Sequence, residues 1–206
     1  ILVFSIPLGI FTARHAGGRM DKALTSVNQV LMAIPAFVTG ILLTYVFGLV
    51  LRLFVPGNYV SPGDNFGASL WYFLFPAVSI ALPRVAMTVK MLRSSILSEM
   101  EKDYVRTSHS RGNSDRATLY RHVLRNAMGP VVSFLAMTVA DIVAGSVVIE
   151  QVFSLPGLGR MLLTSIANRD YPVVQAVVVI VAFWVVLVNL LADLINQRLD
   201  PRLRLQ

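Results

Sequence analysis

The stretch RSSILSEMEKDYVRTSHSRGNSDR, residues 93–116, with LYRHVLRN at 119–126, is a charged interval in a chain that is otherwise mostly apolar. Leu97, Met100 and Tyr104 recur at i, i+3, i+7, and Leu119, Val123 and Ala127 at i, i+4, i+8. Both spacings predict amphipathic helices. Between them lie Gly112 and Asn113, the pair best able to take positive φ, and then Ser114, a good N-cap. Residues 93–127 therefore read as a helix, a tight turn and a second helix. A basic unit of this kind needs a partner to keep its amphipathic faces ordered.

On either side the chain is apolar for lengths that matter to a bilayer. Hydropathy marks about five segments, at roughly 1–13, 27–54, 70–91, 128–150 and 173–196, and the last four reach the ~20 residues that cross ~30 Å of hydrocarbon. With 55% hydrophobic and 14% charged residues and a mean hydropathy of +0.67, an ordinary soluble domain is excluded. The expected fold is all-α, a polytopic transmembrane helical bundle. Of the eighteen basic residues, fourteen fall in the first loop (Arg14, Arg19, Lys22), between Lys90 and Arg125, and in the tail (Arg198, Arg202, Arg204). The positive-inside rule makes that side, and the C-terminus, cytoplasmic. The net charge of +7 then calls for no nucleic acid. Loops 55–69 and 151–172 face outward.

Within the spans, Gly40, Thr44 and Gly48 form a small-residue ridge for close helix approach. Pro35, Pro76 and Pro83 are expected to kink or open their helices, either to shape packing or to gate. Leu158, Met161, Leu162 and Ile166 predict a short outer helix with one apolar face, following Pro156 and Gly157. Asp170 and Pro172 suit the opening of the final span.

Polar groups in hydrocarbon are costly and usually face a bundle interior or water. Arg84, Thr138, Asp141, Asn189 and Asp193 are therefore the candidates to line a pathway. Thr138, Asp141 and Gly145 share one helical face, and Asn189, Asp193 and Asn196 another. Counted from the ends of the apolar segments at 1.5 Å per residue, Arg84 and Asp141 differ by roughly 10 Å in depth. Arg84 and Asp193 differ by about 9 Å in the other direction. Neither pairing is favoured over local hydrogen bonding.

No catalytic constellation is present: His15, His109 and His122 all fall in cytoplasmic loops, and there is no metal-ligand motif, nucleophile elbow or Walker A sequence. Cysteine is absent. No catalytic residue, metal or bound cofactor is assigned, and without a Walker A sequence any ATP-derived energy must come from another polypeptide. A membrane enzyme would need a reactive group in a span, and a self-contained secondary transporter would normally show inverted repeats; neither is found. The recurring Arg106, Arg111, Arg116, Arg121 and Arg125 fit a docking surface or merely the positive-inside bias.

The run from Asp103 to Gly112, with His122 to Ala127 and Pro130, resembles the cytoplasmic coupling loop of ABC-importer permeases of the dipeptide, oligopeptide and nickel family. Glu150, Phe153, Pro156, Gly157 and Gly159 match a second motif. Arg169 to Pro172, Asn189 to Asp193 and Asp200 to Arg202 match further ones, while Pro7 to Gly9 and Ile34 to Gly40 are similar to that family's first permease. Departures are Ser108, His109, Asn113 and Gly129.

The resemblance implies a single permease domain over 1–206 of the type I importer fold, with six spans in a full protein of which this chain holds about five. Ahead of Ile1 it implies a missing helix and loop. The coupling-loop residues would be Tyr104, Arg106, Thr107, Ser108, Arg111, Gly112, Ser114, Arg116 and Arg121. Glu150, Phe153, Pro156, Gly157 and Gly159 would form an outer gate or loop with a short helix in 151–172. Implied partners are a second permease, two ATPases carrying ATP and Mg, an extracytoplasmic solute-binding protein and membrane lipid. The implied location is a bacterial or archaeal cytoplasmic membrane, and the implied cargo is peptide or a related solute such as nickel.

Overall fold

A computed structural model describes residues 1–199, apart from the side chains of 143–145, 196 and 199. The parts of the expectations that fall on Gly145, Asn196 and residues 200–206 lie outside the described residues. The helices are α1 (Leu2–Arg14), α2 (Arg19–Ala33), α3 (Ala36–Leu43), α4 (Phe66–Met100), α5 (Asp103–Ser110), α6 (Asp115–Thr118), α7 (Leu124–Val152), α8 (Leu158–Ala167) and α9 (Tyr171–Leu199). π turns at Thr44–Val50 and Leu119–Val123 continue α3 and join α6 to α7.

Each of the five apolar segments contains helix, but they differ in reach. Among the described residues three helices are long and apolar enough to cross a membrane: Phe66–Met100, Asp115–Ile142 and Tyr171–Ile195. The 27–54 segment, expected as one span, is broken, because the chain bends by 93° between α2 and α3. Pro35 causes this: it is extended (φ −60°, ψ 142°) and stands as the N-cap of α3. Counting the bent pair as one span gives four, and α1 is a shorter apolar helix of 13 residues. Pro76, Pro83 and Pro130, by contrast, lie inside continuous helices.

The chain forms two compact units. Of the described residues, the first takes 1–31, 85–139 and 187–199. Its core joins Ile10 and Ala13 of α1, Leu92 and Ile96 of α4, Val105 of α5, Leu119 and Val123 of the second π turn, and Ala127 and Val131 of α7. Gly9 makes this packing close, since a Cβ there would lie 2.8 Å from Leu92 Cδ2. Leu97 and Met100, expected on one helix with Tyr104, end α4 instead. Lys102 is extended (ψ 149°) as N-cap of α5, so the period runs across a break.

The second unit takes residues 32–84 and 140–186. Phe54, Tyr72, Phe75, Ile149, Phe153 and Leu155 form its core. Phe54 stacks on Phe75 at 4.1 Å and meets Tyr72 edge-on at 5.7 Å. The small-residue ridge divides its work. Gly40 faces Ser79 of α4, Ile149 of α7 and Phe153 just beyond α7, whereas Gly48 faces Pro56 and Phe54 of the loop that follows its own helix. The buried Tyr72 hydroxyl donates to the Phe153 carbonyl at 2.6 Å and accepts from the Gly57 amide at 3.1 Å. It ties the outer loop, α4 and the end of α7 together.

Tyr72→Phe keeps the ring and removes both hydrogen bonds. It should lower unfolding stability in detergent by about 1–3 kcal/mol, the usual cost of leaving buried polar groups unpaired. A thermal-unfolding scan beside the unaltered chain measures this.

Candidate functional site

The charged interval is a compact turn set on an apolar frame. Val105 of α5 and Leu119 and Val123 of the π turn are buried, so the two limbs share one core with Leu92 and Ile96. Gly112 holds φ +81°, and a Cβ added there would meet nothing within 4 Å, so torsion alone selects glycine. Asn113 instead bridges the turn: its Nδ2 donates to Ser108 Oγ at 3.1 Å, and Ser108 Oγ lies 2.9 Å from Thr118 Oγ1. Ser108 and Thr118 are both buried. Ser114 caps α6, its Oγ accepting from the Ala117 amide at 3.3 Å.

The outer side of this frame is basic. Arg106, Arg111, Arg116, Arg121 and Arg125 are all exposed, as is Thr107. Ser114, Arg116, Ala117 and Tyr120 line an open depression of about 400 Å³. Tyr104 stays inside, donating to Glu99 Oε2 at 2.8 Å, and burial pushes its phenol above the ordinary range. Glu99 also pairs with Lys102. Of the expected loop residues, then, Ser108 and Gly112 build the turn, Tyr104 braces it, and the arginines face solvent.

In the spans, the depth estimate is corrected. Arg84 Nη1 lies 3.2 Å from Asp141 Oδ2, within the second unit. The estimate erred because α4 starts at Phe66 and runs to Met100, and helix begins at Asp115, so the ends of the apolar runs are not the ends of the helices. The two side chains are 25% and 62% exposed. Thr138, three residues before Asp141 in α7, is buried, and its hydroxyl donates to the Phe134 carbonyl of its own helix at 2.9 Å. Asn189 and Asp193 are exposed on α9.

The outer motif is a helix-capping device. Glu150 Oε2 accepts from the Arg160 amide at 2.8 Å, in the first turn of α8, and Oε1 accepts from Ser146 at 3.1 Å. Gly157 is required because a Cβ would fall within the Glu150 carboxylate. At Gly159 a Cβ would lie 2.7 Å from Val147 Cα. Phe153 is fully buried and Pro156 exposed. The expected short helix with one apolar face is present, and that face is largely open: Leu158, Met161 and Ile166 are exposed, whereas Gly159 and Ser165 on the packed side are buried. Close approach selects small residues here. Asp170 caps α9, its Oδ1 accepting from the Val173 amide at 3.3 Å, as the position of Pro172 requires.

Sequence reasoning missed Asp21. Buried in the first turn of α2, it accepts from Arg93 Nε at 2.9 Å and Nη2 at 2.7 Å and from the Gly17 amide at 2.9 Å. The available signal was a lone acid among Arg14, Arg19 and Lys22.

Long apolar helices, polar groups held within them and a folded basic turn between two of them mark a polytopic helical membrane protein. The family model for binding-protein-dependent transport system inner membrane components matches residues 5–205, and the chain belongs to that family. Relatives include a probable peptide ABC transporter permease protein of Sinorhizobium fredii, 35% identical over 97% of this chain and 64% of the relative. An oligopeptide transport system permease protein of Bacillus subtilis is 34% identical over 98% of this chain and 65% of its own length. A nickel import system permease protein of Staphylococcus aureus is 33% identical, covering 100% of this chain and 59% of the relative. The chain thus spans less than two thirds of the length of these relatives. Family and helices together make it a multi-pass inner-membrane component.

Gly159→Ala should destabilise the second unit by about 1–3 kcal/mol through overpacking against Val147. Gly63→Ala, whose nearest neighbour would be Ser61 Oγ at 3.8 Å, is the control and should leave the thermal midpoint unchanged.

Proposed function

We propose that the chain is the permease subunit of an ATP-driven importer, forming half of a pathway for peptide or a related small solute such as nickel. The observation that carries this is the basic turn around Gly112, rigid by its buried frame and exposed on its arginine face. A second permease completes the pathway, two cytoplasmic ATPases dock on the turn, and an outer solute-binding protein delivers cargo. ATP and Mg reside on the ATPases. The basic loops and the C-terminus lie on the cytoplasmic side. Support for a second membrane chain comes from α9, of whose most apolar stretch only 6% is buried within this chain.

Pathway lining falls to Arg84 and Asp141. Two charges at span depth with exposed surface are unfavourable against lipid, so a wet route or the facing permease is their natural environment. Asn189 and Asp193 extend the same reading to α9, and the capped outer helix α8 shapes the mouth.

Two experiments test these assignments in the full importer. Gly112→Val forces a β-branched residue into positive φ at a cost of ~1–3 kcal/mol, without a clash. Membrane insertion should survive, while ATPase co-purification and uptake fall. Gly112→Asn, which tolerates that φ, should retain both. Arg116→Ala, an exposed charge worth ~0–1 kcal/mol, should cost less than the valine. Wild-type uptake from Gly112→Val alongside loss in Arg116→Ala would replace the turn by a simple charged surface. Separately, Asp141→Leu should reduce uptake while pairing with the second permease persists. Normal uptake in that variant removes Asp141 from the pathway.

A further inference from the structure

α2 is attached to the first unit in an unusual way. Of its fifteen residues only Asp21 is buried, at 4% exposure, while Met20, Val27 and Val30 are exposed. Among the described residues, none of α2 belongs to the core formed by α1, α4, α5 and α7. Leu24, Leu31 and Met32 on the same face are only half-buried, so the ion pair is the fully buried attachment of the helix. Its geometry is specific: two guanidinium nitrogens of Arg93 meet the carboxylate at 2.9 and 2.7 Å, and the Gly17 amide and Thr25 hydroxyl complete the oxygens at 2.9 and 3.4 Å. Arg93 sits between Leu92 and Ile96, the two α4 residues that seat Val105 of the basic turn. At its other end α2 runs into the Pro35 break and α3.

We infer that Asp21 and Arg93 are positioning residues for energy coupling, a closed pin that makes α2 follow any displacement of the seat of the basic turn. This rests on the ATPase-docking reading above. The fork matters: lysine at 93 would keep the charge but lose the paired hydrogen bonds. Because the core lacks α2 residues and Arg93 remains 28% exposed, losing the pin should leave the unit folded.

The test uses the complete importer, with partner permease, ATPases and binding protein, in proteoliposomes. Asp21→Asn keeps an acceptor for Gly17 and removes the charge. Uptake and binding-protein-stimulated ATP hydrolysis should fall about 2- to 30-fold, the range of coupling effects of 0.5–2 kcal/mol, with basal hydrolysis and ATPase co-purification retained. Arg93→Lys should fall between the two. The chain lacks cysteine, so Asp21→Cys with Arg93→Cys can be bridged by a short bifunctional thiosulfonate. Bridging should restore uptake and thiol reduction should abolish the gain, and this arm decides the matter if Asp21→Asn accumulates poorly. Wild-type stimulation in Asp21→Asn, or a bridge that blocks uptake, overturns the pin. An unaltered importer without ATP-dependent uptake would instead sink the docking reading itself.

Discussion

Contact of Val105 with the core of Leu92, Ile96 and Val123 is the interaction on which the functional surface depends. Five exposed arginines in so short an interval repel one another, and a loop held by them alone would be spread out in water. Burying one apolar residue from the first limb and two from the π turn fixes the limbs, after which the short polar bridge of Ser108, Asn113 and Thr118 can form between them. Buried hydroxyls gain only when fully partnered. The order of dependence is thus apolar seat, polar bridge, torsion at Gly112, and last the cationic face.

The outer side shows a second solution to positioning a short segment. α8 has ten residues, too few to be stable alone in water, and its larger apolar side chains are not its packed ones. It is fixed by backbone contact at Gly159 and by the Glu150 carboxylate at its first turn. Gly157 and Gly159, which the resemblance offered as outer gate or loop residues, are there to admit a neighbour's atoms.

Periodicity and composition disclosed the helical class, the packed face of Leu119, Val123 and Ala127, and the turn at Gly112, because each depends on local chemistry. They did not disclose where helices stop. Leu97 and Tyr104 keep helical phase across the extended Lys102, and the apolar run through Pro35 hides a bend. Contacts between distant segments were equally hidden. Arg84 with Asp141 and Asp21 with Arg93 are 57 and 72 residues apart, and depth counted from apolar boundaries inherits every error in those boundaries.

The exposure of α9 has a consequence for assembly. α9 meets its own chain along one narrow stripe, Val173, Val177, Val181, Val185, Val188 and Ala192, and the rest of its apolar surface gains from the surrounding lipid. Its insertion is therefore an event separate from packing. The helix can enter the bilayer first as a rod, and the stripe of small and β-branched residues then sets its rotation as it packs.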